Sequence, residues 1–158
     1  MLGCATRSRP AAVPLVIMKT SLTRTVRLEI ASRFDMLEMV QTVLQHVSAL
    51  VGFDEEASHY VSVAVRESVV NAIKHGNGLD ESKRVAVEFQ LRPQSLDVQV
   101  RDHGGGFDPA AVPDPVAPEN LLKATGRGIF FMRSFMDEVT YSFPRSGGTV
   151  VRMSKRVG

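Results

Sequence analysis

The chain has 158 residues, 44% hydrophobic and 23% charged, a size and balance that fit one globular domain rather than a disordered chain. Its one cysteine, Cys4, cannot form an internal disulfide, which fits a reducing, cytoplasmic setting, and no apolar run reaches the ~18 residues a membrane span needs. The net charge of +2 conceals a split: residues 1–27 carry +5 and the rest −3, so the folded body gives no case for nucleic-acid binding.

Residues 1–20 hold Pro10 and Pro14 and show no sustained period. They read as a disordered leader, or as an upstream start with Met18 the natural first residue, leaving 21–158 as the domain. A targeting peptide fits poorly, because Pro14 interrupts the apolar part from Ala11 to Met18 and no convincing cleavage site follows. Leu2-Gly3-Cys4 lacks the preceding apolar segment of a lipoprotein signal.

Val26, Leu28 and Ile30 alternate with Arg27 and Glu29, predicting a strand. Ser32 or Asp35 is the expected cap of the next helix, whose apolar positions run from Met36 to Val51 and which Gly52 closes. Asp54 is the expected cap of a second helix, with Glu55 and Glu56 in its first turn. That helix runs into Glu67-Ser68-Val69-Val70-Asn71-Ala72-Ile73-Lys74-His75-Gly76-Asn77, with Gly76 and Gly78 ready to end it. Glu67 and Asn71 lie one turn apart, about 40° around the axis. Val61, Val65, Val69, Ala72 and Ile73 form a separate arc that can pack on a sheet. Alone, a Glu and an Asn so spaced are common on a solvated helix face.

Val85, Val87 and Phe89, then Leu96, Val98 and Val100, predict two strands joined by a turn at Arg92-Pro93-Gln94-Ser95. The 19 residues from Phe107 to Thr125 include four prolines and read as a lid or binding loop. A third helix is expected from about Gly128 to Met136, and strands over Val139–Phe143 and Thr149–Met153. The fold class that follows is α/β: a two-layer sandwich of a mixed, mainly antiparallel sheet with its helices on one face.

Two further segments bear on chemistry. Asp102 stands where a strand gives way to His103-Gly104-Gly105-Gly106, and glycine lets backbone approach a ligand closely. Gly126-Arg127-Gly128 opens a helix whose amides and dipole favour phosphate. There is no Gly-x4-Gly-Lys-Ser/Thr, so this is not a P-loop. His75 and His103 have no second His or Cys at ligand spacing, so His75 reads as structural or helix-ending.

Glu67…Asn71, Asp102-x-Gly104-x-Gly106 and Gly126-x-Gly128, in that order, together resemble the boxes of the GHKL (histidine kinase-like) ATPase superfamily over about residues 23–155. Asn71-Ala72…His75-Gly76-Asn77, Gly106-Phe107-Asp108-Pro109 and Gly126 to Met132 resemble its anti-sigma-factor serine/threonine-protein kinases. The resemblance implies a Bergerat-type ATP-binding fold with ATP and Mg²⁺ as cofactors. It implies Asn71 as the metal ligand and Glu67 as the catalytic base. Asp102 would hold the adenine amino group with Thr149 assisting through water. Gly104 and Gly106 would make room for the nucleotide, and Gly126 and Gly128 would cradle phosphate; Arg127 beside them either contacts phosphate too or is simply solvated. The partners implied are an anti-sigma-factor antagonist protein as substrate, a sigma factor, and a second copy in a homodimer. No phospho-acceptor His region or coiled coil accompanies the motifs, which disfavours a sensor histidine kinase. The alternative is a nucleotide-dependent protein-binding module with negligible kinase activity.

Overall fold

The computed structural model describes residues 23–106 and 127–158. The leader reading of residues 1–20, the lid reading of Phe107–Thr125, and Gly126 all lie outside the described residues. In chain order the elements are β1 (Arg24–Ala31), α1 (Leu37–Val51), α2 (Glu55–Asn71), β2 (Arg84–Arg92), β3 (Ser95–Arg101), α3 (Arg127–Phe135), β4 (Glu138–Ser142) and β5 (Val150–Arg156). A 3-10 turn, Phe34–Met36, precedes α1, and a π-helical turn, Ala72–Gly76, follows α2.

The strands form one sheet in the order β1-β2-β3-β5-β4. Every neighbouring pair is antiparallel, so the sheet expected to be mixed has no parallel pair among the described strands. The register places Val26, Phe89, Val98, Met153 and Val139 in one row across all five strands. The adjacent row is Arg27, Glu88, Gln99, Arg152 and Thr140, on the opposite face. Slipping any strand by one residue would exchange these rows, so burial of the first row fixes the register. Pro93 and Gln94 turn the β2–β3 hairpin, with Gln94 at φ 61°.

The helices cover only the apolar face. α1 packs on β2 and β3, α2 on β3, and α3 on α2 and β4. Val40, Leu44, Val61, Val65 and Val69 are buried there against Val87, Phe89, Val98 and Val100. The opposite face is polar, with ion pairs Arg27–Glu88 and Arg92–Asp97. Among the described residues no helix is long and apolar enough to cross a membrane.

Asp54 caps α2 as expected, its Oδ1 accepting from the Ala57 amide at 2.7 Å. α1 departs from expectation: its N-cap is Met36, with no side-chain hydrogen bond. Ser32 is buried and donates to the Lys83 carbonyl at 2.8 Å, a tertiary bond in place of a cap. Asp35 pairs with Arg33 at 2.7 Å, and that hydrogen bond holds its carboxyl below the usual range.

Candidate functional site

Between α2, the head of α3 and the ends of β3 and β5 lies a cavity of about 390 Å³. Its wall includes Glu67 and Asn71 from α2, Asp102 after β3, Gly106, Gly128 from α3, and Thr149 before β5. Three segments distant in sequence thus meet at one cavity. Its floor is made of Ala72, Val100, Met132 and Val151, all buried, and the exposed Lys74 and His75 stand at its rim.

Glu67 and Asn71 share a stripe because they are one helical turn apart. Gly128 is held against both. A Cβ built there would lie 2.6 Å from Glu67 Oε2 and 3.5 Å from Asn71 Nδ2. The α3 N-terminus therefore faces the acid–amide couple. An aromatic stack keeps it there: Tyr60 of α2 lies 4.6 Å from Phe135 of α3, and Phe131 follows at 5.6 Å. Stacked rings at these separations add about 0.5–1.5 kcal/mol each beyond the area they bury.

Asp102 is 4% exposed. Its Oδ1 accepts from the Gly104 amide at 2.9 Å and the Thr149 amide at 3.1 Å. The Asp102 amide in turn donates to the Thr149 carbonyl at 3.0 Å. Charge-assisted bonds of this kind lock the carboxylate in place. Its other oxygen, Oδ2, lies where a Cβ on Gly76 would stand, 2.3 Å away. Gly76 is required for that approach, and its backbone φ is not in the left-handed region; Gly78, at φ 63°, makes the turn that leaves the helix.

Gly104 has a different reason from the one its motif implies. A Cβ there would sit 1.7 Å from the Gly76 carbonyl oxygen, so the room it makes is filled by backbone. Gly148, at φ 84°, likewise has the Asp102 carbonyl oxygen 2.0 Å from where a Cβ would be. Gly106, at φ 77°, does line the cavity. Arg127 is exposed at the head of α3 and is not among the described residues lining the cavity. His75 lines the rim, and no three His, Cys, Asp or Glu among the described residues form a metal cluster. Tyr141 also lines the cavity, and burial pushes its hydroxyl above the ordinary pKa of a phenol.

Sequence reasoning missed Asn77 as the clamp of this arrangement. It is 2% exposed, and its Oδ1 accepts from the His103 amide at 2.8 Å. Its Nδ2 donates to Ser32 Oγ at 2.7 Å and to the Arg84 carbonyl at 3.0 Å. One side chain so ties the end of the helix to β1, β2 and the glycine run after β3. Asn77→Ala leaves buried partners unsatisfied, each costing about 1–3 kcal/mol, and should lower unfolding stability by about 2–4 kcal/mol. A chemical denaturation midpoint that falls with an unchanged slope checks this.

The donor set fits an adenine nucleotide. The cavity volume lies within the range of small-ligand sites, its floor is apolar, and Asp102 keeps a second carboxylate oxygen for an amine. The helix N-terminus beside Glu67 and Asn71 suits phosphate.

The model of the histidine kinase-like ATPase domain matches residues 30–155. Serine-protein kinase RsbW of Listeria innocua is 24% identical over 138 residues, covering 84% of this chain and 87% of that protein. Serine-protein kinase RsbW of Bacillus pumilus is 28% identical over 138 residues, covering 82% and 84%. The crystal structure of the RsbU and RsbW domains of Rv1364c from Mycobacterium tuberculosis aligns with a TM-score of 0.61 at 18% identity. That alignment covers 84% of this chain and 32% of the solved one, and the likeness there is one of fold. Because the family match runs across most of the sheet and through every segment that builds the cavity, the chain belongs to the histidine kinase-like ATPase domain family.

Proposed function

We propose that this protein is a cytoplasmic, ATP- and Mg²⁺-dependent serine/threonine-protein kinase. Its substrate is a small anti-sigma-factor antagonist protein, and it sequesters a sigma factor when the antagonist is phosphorylated. The observation that carries the reading is the placement of Gly128, and with it the head of α3, directly against Glu67 and Asn71. The relatives named serine-protein kinase support the reaction class. Pairing into a homodimer belongs to the same proposal.

ATP with its Mg²⁺ supplies the γ-phosphoryl group and neutralises its charge. Asn71 offers one hard oxygen, enough for an ion that is usually held by one or two side chains, phosphates and water. Asp102 Oδ2 accepts from the exocyclic amine of adenine, while Thr149 and Gly104 hold the carboxylate still through Oδ1. Gly106 and Thr149 complete the wall, and main-chain amides at the head of α3, from Arg127 and Gly128, face the phosphates; Gly126 is assigned to the same phosphates from its motif alone. Glu67 takes the proton of the attacking serine or threonine hydroxyl. The hydroxyl oxygen bonds to the γ-phosphorus, the bond from that phosphorus to the β,γ-bridging oxygen breaks, and ADP leaves. Such a transfer needs positioning and charge neutralisation more than covalent help from the protein.

Incubation of the purified protein with labelled ATP, Mg²⁺ and a candidate antagonist is the test. The expected result is label on a serine or threonine of the antagonist, lost when the metal is chelated. Tight ATP binding without transfer across candidate antagonists would overturn the kinase reading and leave a nucleotide-dependent binding module.

A further inference from the structure

Ser68 is 1% exposed, and its hydroxyl makes no hydrogen bond among the described residues. A serine inside a helix ordinarily bonds the carbonyl one turn back or points to water, and here neither occurs. A buried hydroxyl left unpaired costs about 1–3 kcal/mol, so its retention calls for a partner. Ser68 is also one of the residues lining the cavity, one position after Glu67 and one turn before the buried Ala72.

Its depth decides which part of a nucleotide it meets. The exposed rim holds Lys74 and His75, and Glu67 and Asn71 are half-buried. Ser68 belongs instead to the buried side of α2, the side of Ala72, which faces Val100 and Val151 across the cavity. A triphosphate carried that deep would lose its hydration, whereas a flat base gains from the apolar floor. We infer that Ser68 is a base-recognition residue: its hydroxyl donates to a ring-nitrogen acceptor of the bound purine, directly or through one water. This rests on the nucleotide-binding reading above and adds a second polar anchor, on α2, to the one that Asp102 provides after β3.

The fold supplies its own control. Ser48 on α1 is also 2% exposed with an unpaired hydroxyl, but it does not line the cavity. Ser68→Ala, Ser48→Ala and the parent protein are titrated calorimetrically with ADP and Mg²⁺, and their unfolding without nucleotide is measured. Ser68→Ala should weaken ADP binding about fivefold or more with no loss of nucleotide-free stability, since it removes an unpaired polar group. Ser48→Ala should keep the parent affinity. The parent protein should also lose affinity for one of the 1-, 3- or 7-deaza-adenine nucleotides, and Ser68→Ala should not register that deletion. An unchanged ADP affinity in Ser68→Ala overturns the assignment while the nucleotide site stands. No ADP binding by the parent protein overturns the nucleotide reading itself, and the inference with it. Equal weakening in Ser48→Ala and Ser68→Ala would assign both hydroxyls to folding rather than recognition.

Discussion

Glu67→Gln should bind Mg-ATP within about twofold of the parent protein and transfer its phosphate at least a hundredfold more slowly. Positioned general bases contribute about 10²–10⁴ in rate, and the amide cannot accept the proton. The substitution preserves shape, so Gly128, whose Cβ position lies 2.6 Å from Glu67 Oε2, keeps its neighbour. Asn71 and Asp102 are untouched, and with them the groups assigned to metal and base. Single-turnover transfer to the antagonist, beside a calorimetric titration with ATP, separates the two effects. A variant that transfers at the parent rate shows that Glu67 is not the base. One that loses binding together with transfer shows that the carboxylate serves the ground state.

Gly104→Ala should reduce nucleotide affinity by a hundredfold or more and cost about 2–3 kcal/mol of stability, in the range of overpacked cores. The new Cβ would stand 1.7 Å from the Gly76 carbonyl oxygen, and both sides of that contact are backbone. Neither side can rotate away as a flexible side chain could. Relief must move the glycine run or the π-helical turn. Either motion disturbs the 2.9 Å bond from the Gly104 amide to Asp102 and the 2.8 Å bond from the Gly148 amide to the Gly104 carbonyl. Gly105→Ala is the matched comparison, because a Cβ there meets nothing within 4 Å. It should bind and unfold like the parent protein. Indistinguishable behaviour of the two variants would mean that the Gly76–Gly104 approach does not set the site.

The strands were legible because one face of the sheet is buried, which imposes alternation on Val85 to Phe89 and Leu96 to Val100. Sheet order was not, since it depends on pairings far apart in the chain, and no local pattern marks β5 as the strand between β3 and β4. Asp54 was read correctly as a cap because capping is a bond to the third residue on. Ser32 was misread for the complementary reason. Its hydroxyl bonds a carbonyl 51 residues away, and a buried tertiary partner prevails over local preference. The same division runs through the site. Glu67, Asn71 and Asp102 are each weak signals alone and were legible only as an ordered set with the glycine segments. Asn77 works through bonds to residues 26 and 45 positions distant, and Gly76 through contact with a carboxylate on another element. The reason for Gly104 was inverted: proximity to a glycine-rich segment looks the same in sequence whether ligand or backbone fills the space.

Among the strands, β5 comes last in the chain yet lies between β3 and β4 in the sheet. Until it leaves the ribosome, β3 has an unpaired edge and β4 has no neighbour within the sheet at all. Thr149, whose amide steadies Asp102, emerges immediately before it. A nascent chain therefore carries the acid–amide couple and the glycine run without a finished pocket until Thr149 and β5 emerge. The pocket closes in one step, when β5 inserts between its two neighbours.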